Sequence, residues 1–202
     1  QAENLIDQEP DAIRQVANAW FDIGQPEQAV ALWERQRTHL PATPALDLAY
    51  AQALDRARAD TRLTAILPGL LDRSDWAPED NASLLDLQSG LEERRIADLH
   101  SQGRITAARA LARDVPLREG PGITPAHTAA ARARLHMAAQ DSAAALPLLQ
   151  QAVAADPHNF DLQVDTGNAW VLAGDRRQAL PHAEAAQAMA PQQAAWRKLA
   201  LV

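Results

Sequence analysis

A chain of 202 residues is long enough to bury a substantial core, and its composition is lopsided: 45 alanines against only 4% aromatics. That balance excludes a sandwich or barrel, whose strands draw on β-branched and aromatic residues, and points to closely packed helices. The absence of cysteine excludes disulfides, a thiolate nucleophile and thiolate-held metal, and a net charge of −7 argues against a nucleic-acid backbone or an anionic membrane surface as partner.

In chain order, Glu3–Glu9 reads as the tail of a preceding repeat, so the chain is expected to begin inside a longer array. No apolar run reaches the roughly 18–20 residues of a membrane helix. A first unit over 10–43 places Ala17, Trp20, Gly24, Ala29, Gln36 and Pro41 at regular intervals. The second, 44–77, keeps Ala51 and Leu54 but carries Leu63 and Leu70 where small residues stand elsewhere, with Pro68-Gly69 inside its expected second helix. The section 78–125 is irregular. Eleven extra residues fall in Pro78–Gln88, where Leu84, Leu85, Leu87, Leu91, Ile96 and Leu99 keep near-helical spacing and predict one long helix over roughly 79–101. Three more fall in Leu117–Pro125, whose Gly120-Pro121-Gly122 predicts a loop and a hinge. Regular units then resume over 126–159 (Ala133, His136, Gln140, Ala145, Ala152, Pro157) and 160–193 (Gly167, Trp170, Gly174, Ala179, Ala186, Pro191). A capping helix over 194–202, with Trp196, Leu199 and Ala200 on one face, is expected to end the stack. The expected blocks are therefore 1–77, 78–125 and 126–202.

The repeat shows in identities at a shift of 34. Asp141, Ala145, Leu146, Pro147, Ala152, Ala154 and Pro157 recur as Asp175, Ala179, Leu180, Pro181, Ala186, Ala188 and Pro191. Asn18-Ala19-Trp20 with Gly24 recurs as Asn168-Ala169-Trp170 with Gly174. Small residues suit close helix crossings, prolines cannot extend a helix and so punctuate the steps, and Asp141 and Asp175 are placed to cap second helices. These residues resemble the tetratricopeptide repeat, a helix–turn–helix unit of that period. The resemblance implies an all-α, right-handed superhelix of about ten to twelve antiparallel helices, with an irregular middle. It further implies that one face of each first helix lines a partner-binding groove: Arg14, Asn18 and Phe21; Gln52, Asp55 and Arg56; Arg94; Arg134; then Asp165 and Asn168.

No catalytic, cofactor-binding or metal-ligating set emerges. The six histidines include no pair at helical spacing for a metal, and Gly120-Pro121-Gly122 lacks the lysine and hydroxyl of a phosphate cradle. Glu92-Glu93 beside Arg94-Arg95 reads as a solvated helix face. Trp20, Trp170 and Trp196 fall at packing positions, while Trp33 and Trp76 stay open for sugar stacking. Exposed aromatics in a row would favour a carbohydrate-polymer-binding superhelix; aromatics buried between helices would favour a docking scaffold. A chaperone-type clamp on a peptide carboxylate finds Arg14 and Asn18 in place, but Ala49 and Gly90 depart from its pattern.

The reading is a non-enzymatic protein-interaction scaffold without cofactor, taking a protein or peptide partner, with polysaccharide as the rival occupant. The alanine- and arginine-rich repeats and the stretch Leu91–Ala112 also resemble the periplasmic repeat scaffolds of bacterial exopolysaccharide export, cellulose and Pel types included. That resemblance implies a periplasmic segment of a larger secretion or assembly protein.

Overall fold

The computed structural model describes residues 10–190, with side chains from Ala12 onward. Within them are ten α-helices and no strand: α1 (Pro10–Asp22), α2 (Pro26–His39), α3 (Pro44–Arg56), α4 (Asp60–Leu71), α5 (Pro78–Ser101), α6 (Ile105–Asp114), α7 (Pro125–Ala138), α8 (Ser142–Ala155), α9 (Phe160–Leu172) and α10 (Arg176–Met189). The expected repeat tail at Glu3–Glu9 and the expected capping helix over 194–202, with Trp196, Leu199 and Ala200, lie outside the described residues, as does Pro191.

The period of 34 is a period of backbone geometry. Pro10 and Pro44, Pro26 and Asp60, and Ser142 and Arg176 open equivalent helices that distance apart. Proline stands in the first turn of α2, α3 and α7, where its fixed φ is already helical and its missing N–H costs nothing. Side-chain caps satisfy further orphan donors at five helix starts, α3 and α7 among them. Asp141 and Asp175 accept from the amides of Ala144 (3.3 Å) and Gln178 (3.1 Å). Thr43, Thr124 and Asn159 accept from Leu46, His127 and Leu162 in the same way.

Each hairpin turns through one left-handed residue. Gly24, Gly103 and Gly174 have φ of 73°, 75° and 82°, and in two hairpins Arg58 and Gln140 adopt the same conformation at φ 55°. The turn closes by a pair of bonds, as in Gly174 N–H to Val171 O (3.0 Å) and Asp175 N–H to Trp170 O (2.9 Å). This is the Schellman ending, which needs a positive φ at that one residue.

The chain divides into two compact units, one ending at Leu87 and the next beginning at Gln88, within α5. In the first, Ile13 and Ala17 of α1 are buried, as are Val30 and Trp33 of α2, Ala51 and Leu54 of α3, and Leu63 and Leu67 of α4. In the second, one cluster joins Ile96, Ala108, Ala112, Leu135 and Ala139, and another joins Ala133, Ala145, Leu149 and Ala169. Alanine dominates these contacts because helices in close contact leave room for a methyl group and little more. Each fully buried leucine adds roughly 1.5–3 kcal/mol of apolar transfer.

The irregular section has two consequences. The inserted residues make α5 a helix of 24 residues, about 36 Å at 1.5 Å per residue. The loop after α6 is tethered where it leaves the helix. Gln88 Nε2 donates to Pro116 O (2.8 Å), and Gln88 Oε1 accepts from the Arg118 amide (2.7 Å). Arg132 donates to Ala112 O (2.9 Å) and Val115 O (2.7 Å), carbonyls that the end of α6 leaves without helical partners.

Candidate docking groove

Asp22 and Arg56 occupy the same place in successive repeats, so α1 and α3 bring them side by side. Arg56 Nη2 donates to Asp22 Oδ1 at 3.0 Å and Nη1 donates to Asn18 Oδ1 at 2.7 Å. Its guanidinium also lies over the Phe21 ring, 4.3 Å from the centroid. Three contacts on one side chain fix the guanidinium plane before any partner arrives. Stacking on the ring uses the planar, weakly hydrated character that lysine lacks. The ion pair itself is exposed, with side chains 47% and 72% accessible, so its value lies in orientation more than in stability.

Beside this braced arginine is a cavity of about 110 Å³ lined by Arg14, Ala17, Asn18, Phe21, Trp33, Ala49, Gln52, Ala53 and Arg56. Its floor is apolar: Ala17, Trp33, Ala49 and Ala53 are each at most 5% exposed. Its rim is polar. The Gln52 carboxamide is exposed and makes no hydrogen bond among the described residues, so it keeps both a donor and an acceptor for a ligand. An apolar socket under a fixed guanidinium and a free carboxamide suits a peptide: one side chain enters and the adjoining backbone meets the rim.

Five of the six groove residues expected in the compact unit that ends at Leu87 therefore line one cavity. Asp55 is half-buried beside them on α3 and does not line it. In the second unit, Arg134 of α7 and Asp165 of α9 form an ion pair at 2.7 Å, with side chains 31% and 22% accessible. Burial pushes the Asp165 carboxyl above its ordinary value, while the Arg134 guanidinium pulls it the other way. Asn168 is half-buried on α9, and Arg94 is half-buried on α5.

The apolar floor was not apparent from the sequence. Ala17 reads as a small repeat-position residue and Ala49 only as a departure from the clamp pattern; their shared opening with Ala53 gives them this role. Trp33 and Trp76, left open for sugar stacking, are 2% and 7% exposed, and the Trp76 indole donates to Leu70 O at 2.9 Å. Asn18, one of the two clamp positions found in place, already accepts from Arg56. His136, at the bulky packing position, is 8% exposed. Among the described residues no group of three or more histidine, aspartate or glutamate side chains could hold a metal, and no helix is long and apolar enough to cross a membrane.

No protein-family profile matches the chain, and no curated protein matches it. Among solved structures, MamA 41-end from Desulfovibrio magneticus RS-1 is similar over 91% of this chain and 96% of its own, at a TM-score of 0.47 and 15% sequence identity.

Proposed function

We propose that this chain is a non-enzymatic protein-docking scaffold, whose first unit captures a peptide segment of a partner in the α1–α3 cavity. The observation that carries this reading is the preassembled socket. Arg56 is held by Asn18, Asp22 and Phe21 over a floor of Ala17, Trp33, Ala49 and Ala53, with Gln52 unengaged at the rim. Such preorganisation lowers the ordering cost of binding, because the arginine rotamer is already chosen. The burial of Trp33 and Trp76 supports protein over carbohydrate, since neither ring face is presented as a stacking platform.

The reading extends to a bacterial secretion or assembly protein, such as a periplasmic exopolysaccharide export component. That extension is supported by the alanine- and arginine-rich repeats and by the stretch Leu91–Ala112. Cell fractionation tests it: the protein is expected in the periplasmic fraction, and recovery in the cytoplasm would count against it. Docking itself is tested by selecting binders from a random peptide library and titrating them calorimetrically against the chain. Arg56→Ala is expected to weaken selected peptides by roughly tenfold or more, about 1.4 kcal/mol, while circular dichroism stays unchanged. Peptides that bind both proteins equally would place the docking site elsewhere.

A further inference from the structure

α6 ends a full turn early. The second helices α2, α8 and α10 each run 14 residues, but α6 runs 10 and stops at Asp114. Val115 precedes a proline and is extended (φ −61°, ψ 124°), which the pyrrolidine ring favours. Val115 and Leu117 then turn onto the cluster of Ile96, Ala108, Ala112, Leu135 and Ala139, and Arg132 and Gln88 pin that path.

The step from α8 to α9 shows what the missing turn would have done. There Ala152 and Val153, in the last turn of α8, pack in one cluster with Leu162. Leu162, Gln163 and Thr166 of α9 are 5%, 6% and 0% exposed. Of the α7 residues in the same register, Ala129 is 7% exposed and belongs to that same cluster, but Thr128 and Arg132 are only half-buried, with no such turn over them. A recess of about 510 Å³ opens instead, with Ala129 and Leu148 as its floor, Thr128 and Arg132 as its wall, and Glu119 and Ile123 at its loop rim. Its size falls in the roughly 300–1,000 Å³ range of ligand-binding clefts.

Two observations specify the occupant. The internal counterpart is a helical turn bearing small aliphatic side chains, alanine and valine. The uncommitted charge at the rim is negative: Arg132 is engaged with two carbonyls, whereas the exposed Glu119 carboxylate meets no cation among the described residues. We propose that this recess docks one face of a partner's amphipathic helix, with small aliphatic residues directed inward and a lysine or arginine set against Glu119. The partner helix would supply in trans the turn that α6 lacks. The site shares no residue with the α1–α3 cavity and stands or falls independently of it.

The test is a phage-displayed library of amphipathic helices panned on the full chain, followed by fluorescence anisotropy with the selected synthetic peptides. Selected sequences are expected to carry alanine- or valine-sized residues at i, i+3 and i+4 spacing, flanked by lysine or arginine. Ile123→Asp is expected to weaken them more than about tenfold. Glu119→Arg, an exposed change that leaves circular dichroism superimposable, is expected to weaken them severalfold and to flatten the salt dependence. Arg56→Ala is expected to leave them unaffected. The proposal is overturned by failure to enrich any helix, by selection of acidic helices, or by binding indifferent to both recess variants. It is equally overturned if sedimentation shows a dimer that Ile123→Asp abolishes, which would make a second copy of this chain the occupant.

Discussion

Gln140 occupies a conformation that belongs to glycine in three equivalent hairpins, and replacing it isolates the energy of that conformation. Its φ of 55° is left-handed. Its N–H bonds to Met137 O at 2.9 Å and the Asp141 N–H bonds to His136 O at 2.9 Å, so the turn is the same as at Gly24 and Gly174. The side chain is exposed, so little packing is lost on removing it. A non-glycine residue pays roughly 1–2 kcal/mol to sit there, and glycine gives back about 0.5–1 kcal/mol through the greater freedom of the unfolded chain. Gln140→Gly is therefore expected to stabilise by about 0.5–1 kcal/mol, raising the melting temperature of a chain this size by about 1–4 °C. Gly174→Ala is the reverse experiment. A Cβ there meets nothing within 4 Å, so its cost, again about 1 kcal/mol, is purely conformational. Thermal and urea unfolding followed by circular dichroism measure both. If Gln140→Gly is neutral or destabilising while Gly174→Ala is tolerated, the left-handed turn is not where the strain lies.

Ala186 is fully buried, and Ala186→Leu is expected to destabilise by about 1–3 kcal/mol through overpacking; an unchanged melt would show that the repeat register is wrong. Gln88→Ala removes the acceptor of the Arg118 amide, so hydrogen exchange at Arg118 should accelerate while amides in the middle of α7 keep their rates; equal exchange in both proteins would dissolve the tether. Burial holds His136 and His182 below the ordinary value of 6.5, with Asp141 opposing and Arg132 and Arg113 reinforcing the shift at His136. Below pH 6.5 the unfolded chain binds protons that the folded chain refuses, so these residues favour folding above that pH and that contribution is lost as acid is added. The drop in melting temperature from neutral pH to about pH 5.5 should be smaller in His136→Gln/His182→Gln; an identical drop would locate the acid sensitivity in other groups.

The repeat itself was legible because it is written in small residues and prolines whose roles are local. Asp141 and Asp175 cap the helices they precede, and the spacing of Leu84 through Leu99 marks a long helix that runs from Pro78 to Ser101. Proline was harder to read. Pro116 ends α6, whereas Pro147 and Pro181 lie inside α8 and α10. The latter two are exposed, as are Ala143 and Arg177 one turn earlier, so the unbonded carbonyl meets water. Identity at the repeat shift does not fix burial either. Leu146 is 9% exposed because α9 packs on it, but Leu180, its counterpart, is 55% exposed and no described helix follows α10. At the groove, the resemblance placed Arg14, Asn18, Phe21, Gln52 and Arg56 on one face. That Arg56 selects Asn18, Asp22 and Phe21 is a tertiary choice among many nearby charges, which no local pattern encodes.

The central claim is that the α1–α3 cavity receives a protein, and site-specific photocrosslinking in cells tests it most directly. A photoreactive residue at Gln52, exposed on the cavity rim, is expected to yield a discrete adduct that protease digests and that Arg56→Ala diminishes. No adduct, or one that resists protease and yields to glycosidase, would contradict it.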